Sequence, residues 1–478
     1  MNNLEQAAWE RSPSPIIRMF GWAAMVVLAW FAADSLGALV VSGDTLALVG
    51  EVDRMLAAIK AGHPTGWGGQ MPLLQQIPAI FLKLAGLEDA MAAKWLAVLN
   101  LVAFFALLAR AFVRLRVESR RLAAFLVAVL LSGPMLWYGR TSFGEMLAAL
   151  FTLGFAVQCQ EGNSDRLLFV EGLLAGISKE TAFPFVLLLG ASASFGSGER
   201  WKDPSFRWRR SKLLVLTASA SLILNVAFNW LRFGTPLNRS YVDPRYIVSS
   251  LERQASYFFG LWFSPNGGLL LFWPSFVLLL VLSAQQAVRG WRAAADLPTK
   301  LGLVSPVAGI SLALLGLTLG FSRWAFPMGW ICWGPRFFIP WLPAFAYVFV
   351  ATYARPLHSV LEEWSLRRWK GWCIGIALAV ASIPQFEIPF NEEIIPRFFA
   401  PDANFPKAAI IQEDPDYYFH YIDHLMWRKQ SVLREGYRAL RPIPSPKTLA
   451  MIGDFLLVWA LVLARPSRTN RRERTSVC

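Results

Sequence analysis

Residues 71–87 read MPLLQQIPAIFLKLAGL, and whether they cross a membrane decides how the rest of the chain is read. A membrane-crossing helix needs roughly 20 mostly apolar residues. This stretch is shorter and contains Pro72, Gln75, Gln76, Pro78 and Lys83. Leu73, Ile77, Ile80 and Leu84 recur at i, i+4, i+7 and i+11, while Gln76 and Lys83 lie toward another side. That spacing predicts an amphipathic helix lying in a membrane interface.

Working outward, apolar runs at 19–41, 91–113, 122–138, 143–160, 166–178, 181–195, 213–231, 267–288, 301–321, 337–354, 373–387 and 448–464 are candidate spans. The runs 166–178 and 181–195 are short, as in a hairpin that does not fully cross. If 71–87 stays on the surface and the N-terminus is cytoplasmic, every basic cluster falls inside, as the positive-inside rule requires. The clusters are Arg110 to Arg121, Arg200 to Lys212, Arg289 to Lys300, Arg355 to Lys370, and Arg465 to Arg474. A crossing at 71–87 would put the later clusters outside. The expected fold class is therefore all-α: a polytopic membrane protein of about 12 transmembrane helices with outer-face interfacial helices. Its expected place is the cell inner (plasma) membrane, with both termini cytoplasmic.

Composition agrees with a membrane protein. Hydrophobic residues make up 55% and charged residues 16% of 478 positions, and mean hydropathy is +0.42. Soluble domains carry about 25% charged residues. The 21 Trp and 35 Phe suit a chain with two lipid interfaces to anchor. The net charge of +14 faces the anionic inner leaflet in this topology, so it does not point to nucleic acid. Cys159, Cys332, Cys373 and Cys478 are scattered and offer neither a metal site nor a disulfide framework. No GxxxxGK[ST] or GxGxxG motif indicates ATP hydrolysis or a dinucleotide cofactor. The first apolar run follows no secretory signal and reads as an anchor.

The outward face holds residues 42–90, 232–266 and 388–447. Ionisable groups near membrane depth are functional candidates, and here they gather at outer ends. Asp44 lies in VVSGDTLALVGEVDRML, followed by Glu51 and Asp53; His63 follows in a Gly-rich loop. Arg140 and Glu145 lie in WYGRTSFGEMLAAL, Lys179 and Glu180 at the tip of GLLAGISKETAFPF, and Arg323 and Arg336 in SRWAFPMGWICWGPRFFIPWLP. Plainer roles are open to each. Asp44 or Ser42 can cap a helix, Arg140 and Glu145 can form a salt bridge, and Arg336 can snorkel to head groups. Asp34 and Asp454, inside the first and last spans, suit pairing between helices. Acids and bases at one depth suit an anionic lipid head group together with a proton acceptor.

This arrangement resembles the GT-C superfamily of integral-membrane glycosyltransferases, in particular the branch of bacterial protein O-mannosyltransferases and the lipid A aminoarabinose transferase. The landmarks follow in order over about residues 19–354. They are an acid-bearing loop (SGDTLALVGEVDRML), a Pro-led interfacial helix (MPLLQQIPAIFLKLAG), an Arg/Glu pair (GRTSFGEML), a GLxxGxxxK hairpin (GLLAGISKETAFPF) and an Arg-aromatic-x-x-Pro helix start (WGPRFFIPWLPAF). Two features depart from the pattern: the paired prolines are reduced to Pro72, and Asp44 has no adjacent second acid. The resemblance implies a catalytic module over 1–354 that includes loop 42–90. Residues 355–478 would add C-terminal spans, the periplasmic segment 388–447 and a basic cytoplasmic tail.

The resemblance also implies a chemistry. A sugar passes from a polyprenyl-phosphate donor to a lipid, glycan or protein acceptor on the outer face, with the lipid phosphate as leaving group. An inverting transfer needs a carboxylate to take the acceptor proton, and Asp44 is the candidate. Cations stabilise the leaving phosphate; Lys179 and Arg336 are the candidates, with Arg140 in reserve. Glu145 would orient Arg140 or bind acceptor, and His63, Glu51 and Asp53 are further candidates for acceptor contacts. A divalent cation is compatible with the superfamily, but the sequence shows no dedicated metal ligand cluster and no cofactor signature. The rival reading is a transporter or flippase of lipid-linked sugars, which should show internal repeats; none is evident. A non-catalytic membrane scaffold is a third.

Overall fold

The computed structural model describes residues 15–62, 72–116, 119–162, 164–196, 201, 203–238, 246–325, 327–329, 334–390, 419, 422–428 and 445–464. Among these residues the regular structure is helical, apart from two single-residue bridges, Val40 to Thr141 and Ile247 to Trp324.

The chain opens with α1 (Pro15–Gly37), two short helices α2 (Gly43–Gly50) and α3 (Val52–Ala61), and α4 (Leu73–Leu84). Next come α5 (Asp89–Arg116), α6 (Arg120–Leu131), α7 (Met135–Gly139) and α8 (Glu145–Glu161). The hairpin α9 (Asp165–Gly176) and α10 (Phe183–Phe195) precedes α11 (Pro204–Phe233), α12 (Leu251–Phe263), α13 (Leu269–Phe272), α14 (Pro274–Ala293) and α15 (Leu297–Ser322). A 3-10 turn at Arg336–Phe338 leads into α16 (Leu342–Thr352), α17 (Ala354–Leu366), α18 (Arg368–Ala381), α19 (Ile383–Glu387) and α20 (Pro446–Leu463).

Every expected span holds helix. Five helices, α1, α5, α11, α15 and α20, are long and apolar enough to cross a membrane alone, and α18 with residues 383–390 adds a sixth span bent by 55°. The others are shorter because the chain is interrupted. The run 122–138 breaks at Ser132–Pro134, and 267–288 breaks at Trp273 ahead of Pro274. The hairpin helices α9 and α10 have 12 and 13 residues, or about 18–20 Å each against a hydrocarbon core of about 30 Å.

Sequence also sets which helices lie inside. α6 and α16 are apolar all round, and Leu122 to Leu131 and Leu342 to Val350 are buried without a break; such helices belong in a core. α1, α11 and α15 instead expose Met19, Trp22, Val215, Ile223 and Leu312 at the perimeter. α6 packs on α5 and α20, α8 on α5, α9 and α16, and α10 on α15.

The contacts sort into two ends. Val40 pairs with Thr141, Leu74 N donates to Ile177 O at 3.2 Å, and Arg232 meets Glu180, all among segments assigned to the outer face. Arg114 pairs with Glu161, Arg209 with Asp165, and Arg121 donates to Ala464 O, all among segments assigned inside. In the outer segment 388–447, residues 422–428 sit on α12 and the turn after it. There Arg253 pairs with Asp423 at 3.1 Å, and Ser264 Oγ donates to Met426 O at 2.8 Å.

α4 forms where its spacing predicts, but its packing differs from a simple interfacial helix. Leu74, Gln76 and Ala79 face the protein, while Leu73, Ile77 and Ile80 are half-buried and Leu84 is exposed. Gln76, which lies off the apolar stripe, is on the packed face. The helix turns that side inward because its first turn is stitched to the hairpin and to residue 143 by hydrogen bonds. Of the apolar stripe, Leu73 and Ile80 pack on a cluster with Leu48 and Val52, Ile77 packs beside Leu74 and Ala148, and only Leu84 is exposed.

Candidate functional site

The site begins with the loop that carries Asp44. Val40 N donates to Arg140 O at 2.9 Å and Ser142 N to Val40 O at 3.0 Å. Three hydroxyls continue the seam. Ser42 N donates to Ser142 Oγ at 2.9 Å, Ser142 Oγ to Thr45 Oγ1 at 2.8 Å, and Thr45 Oγ1 to Ser142 O at 2.9 Å. Ser42 caps α2 by accepting from Thr45 N at 3.1 Å, so the cap expected of Asp44 or Ser42 falls to Ser42. Asp44 lies in the first turn of α2, and its side chain lies outside the described residues, as does His63.

Residues 141–145 are held from the other side as well. Asn100 Nδ2 donates to Thr141 O at 2.8 Å, and Gln75 Nε2 donates to Phe143 O. Gly144 starts α8 at φ +81, and a Cβ there would run into the Gln75 side chain, so this position requires glycine. A small cavity lies here among Thr45, Leu48, Gln75, Asn100, Ser142 and Gly144.

Beyond that turn lie the cations. Arg336 Nε donates to Glu145 Oε1 at 2.6 Å, with the two side chains 9% and 5% exposed. Its guanidinium carbon lies 3.9 Å from the centre of the Phe143 ring and 5.9 Å from that of Phe337. Lys179 Nζ sits 4.3 Å from the same Phe337 ring. Phe337 is itself stacked on Phe321, centroids 4.5 Å apart. Cations over ring faces are electrostatically favoured, so Phe337 seats two cations from separate parts of the chain. Gly334, at φ +69 and against Phe272, makes the turn before Pro335 that delivers this ring.

The hairpin tip has a second ion pair. Glu180 Oε1 accepts from Arg232 Nη1 at 3.4 Å and from Asn238 Nδ2 at 2.9 Å. Asn225 Nδ2 donates to Gly176 O at 3.0 Å. Arg232 also attracts Glu51, whose carboxyl is lifted above its ordinary range chiefly by burial, with Arg54 and Arg232 pulling the other way.

One expected partnership is rearranged. Glu145 pairs with Arg336 rather than orienting Arg140. Arg140 instead reaches Ala38 O at 3.0 Å and Pro389 O, with Asp34 at 4.0 Å. The reason is local. α7 ends at Gly139, so Arg140 projects toward α1 and the 388–390 turn, whereas Glu145 opens the next helix after the glycine turn. Asp34 pairs with Lys447 at 2.6 Å, as its place in a span suggested. Asp454 is fully buried, and neither carboxylate oxygen has a hydrogen-bond partner among the described residues. Asp53 is exposed, 3.5 Å from Lys83. Arg323 is exposed beside the Ile247–Trp324 bridge. Among the described residues, no three His, Cys, Asp or Glu side chains gather in a way that could hold a metal ion.

Arg232 was not singled out from the sequence. Arg232 adjoins the end of the run 213–231 and reads as an ordinary loop residue. The available signal was the spacing in FNWLRF: Phe228 lies one turn before Arg232 and Phe233 beside it, and both rings stack on the guanidinium at 4.9 and 4.6 Å.

No family model and no curated protein matches this chain. Among solved structures it is similar to ArnT from Cupriavidus metallidurans bound to undecaprenyl phosphate, with 15% identity and a TM-score of 0.47 over 95% of this chain and 77% of that one. It is likewise similar to the apo state of the same protein, with 15% identity and a TM-score of 0.44 over 94% and 76%.

Proposed function

We propose that this protein is a glycosyltransferase that moves a sugar from a polyprenyl-phosphate carrier to a lipid, glycan or protein acceptor at the outer face of the inner membrane, with inversion. The observation that carries the reading is the shared Phe337 ring, which draws Lys179 and Arg336 to one place although they lie on different segments.

In this reading Asp44 accepts the proton of the acceptor hydroxyl. The freed oxygen attacks the anomeric carbon, and the bond from that carbon to the phosphate oxygen breaks. The electron pair leaves on polyprenyl phosphate, where Lys179 and Arg336 offset the developing charge. Glu145 is a positioning residue that fixes the plane of the Arg336 guanidinium. The seam from Val40 to Ser142 holds the Asp44 loop against the same turn, so base and cations share a frame. Arg140 ties that frame to residue 389 and does not contact substrate.

The test is donor affinity. A planar guanidinium binds phosphate in a way that an ammonium cannot copy. Arg336→Lys and Lys179→Ala should each weaken polyprenyl-phosphate binding by roughly 10–150-fold in purified protein of near-normal thermal stability. Wild-type affinity in both variants would show these residues to be structural.

A further inference from the structure

The ion pair at the hairpin tip is incomplete as a structural device. Glu180 uses Oε1 twice, for Arg232 and for Asn238, while Oε2 is enclosed and has no hydrogen-bond partner among the described residues. The Glu180 side chain is 7% exposed and that of Arg232 is fully buried. An enclosed acceptor without a partner costs stability, and a hydroxyl donated by a ligand would offset that cost. The group is also rigid. Arg232 is stacked between Phe228 and Phe233, and the carbonyl of Gly176 below the tip is fastened by Asn225. Thr181, the next residue, is exposed, so the tip stands at the protein surface.

Position and chemistry identify the occupant. Glu180 directly follows Lys179, their Cα atoms about 3.8 Å apart. The sugar of a carrier lipid is bonded directly to its phosphate. A phosphate held by Lys179 therefore places the sugar bonded to it at the hairpin tip that carries Glu180. Carboxylate oxygens accept from hydroxyls, and Arg and Asn side chains donate to them. Because Arg232 already neutralises Glu180, neither an ammonium nor a carboxylate on the sugar finds an uncompensated partner. We infer that Glu180, Arg232 and Asn238 form a subsite for the hydroxyls of an uncharged sugar ring on the donor lipid. This rests on the carrier-lipid reading above.

The experiment measures binding of two lipids to the full-length protein in nanodiscs: bare undecaprenyl phosphate, and undecaprenyl phosphate bearing glucose, mannose or galactose in parallel. Wild type should bind at least one hexose-bearing lipid more tightly than the bare one. Glu180→Gln should remove about tenfold of that affinity, the equivalent of one charge-assisted hydrogen bond, and leave bare-lipid binding within about twofold. Glu180→Asp, which keeps the ion pair, should recover part of the loss. If Glu180→Gln does not fold, the double variant Glu180→Gln/Arg232→Gln removes the charge pair together and should show the same selective loss. An equal loss for both lipids, no loss for either, or a wild type that prefers no hexose would overturn the subsite while leaving the phosphate site standing. Failure of wild type to bind bare lipid would overturn the carrier-lipid reading and the subsite with it.

Discussion

Both ends of the helix bundle carry solvated ion pairs, Arg253–Asp423 and Lys83–Asp53 among those at the outer end, but the outer end adds two that are almost fully buried. At the end assigned inside, Arg114–Glu161, Arg209–Asp165 and Arg367–Glu363 are solvated pairs whose side chains are 24% to 60% exposed. At the end assigned outside, Arg336–Glu145 and Arg232–Glu180 are exposed by no more than 9%. Exposed pairs contribute about 0–1 kcal/mol, and evolution can place or remove them freely. Buried pairs cost desolvation that apolar residues would not. Two such pairs beside a lysine lie where the proposed chemistry would take place. Arg110–Glu171, at 2.6 Å and seated against Gly154, is an exception toward the inner end; it joins α5 to α9.

The largest expected effect tests the outer end through Asp44. Asp44→Asn keeps the shape and removes the base, so turnover should fall by about 10²- to 10⁴-fold with donor binding unchanged. Near-normal turnover would move the base to Glu51, Asp53 or Glu145. Next comes a direct contrast of the two ends. Arg232→Ala strands the buried Glu180 and should lower unfolding stability by about 3–5 kcal/mol. Arg209→Ala at the inner end should change it by about 1 kcal/mol or less. Chemical denaturation of both variants in one detergent would collapse the contrast if the losses were equal.

The smallest effect depends on pH. Burial raises the Glu51 pKa in the folded state, so the folded chain holds that proton more tightly than the unfolded chain. Stability from this group is present below the ordinary glutamate value of about 4.3 and is lost as pH rises through the folded value. Glu51→Gln should therefore raise the melting temperature at pH 8 and leave it nearly unchanged at pH 4. An equal rise at both would assign the gain to packing.

Much of this was legible in the chain. Apolar run length located the helices, because lipid imposes a length that composition alone reveals. The stretch 71–87 holds a helix where its apolar spacing predicts one. The meeting of Asp44's loop, Arg140 to Glu145, Lys179 and Arg336 at one end followed from topology. Partner choice did not. Whether Glu145 serves Arg140 or Arg336 depends on the turn that Gly144 makes and on where α7 stops, and both are matters of backbone direction. Arg232 escaped for a similar reason. An arginine at the end of an apolar run is usually an anchor, and only the packing of Phe228, Phe233 and the hairpin tip shows it buried.

The central claim is that the outer end cleaves the bond between sugar and carrier. Purified protein in liposomes, supplied with radiolabelled polyprenyl-phosphate hexose and an outer-face acceptor extract, tests this directly. The account predicts release of free polyprenyl phosphate with transfer of the label to acceptor, both lost in Asp44→Asn. Movement of the intact lipid-linked sugar across the bilayer, with no bond broken in wild type, would contradict it.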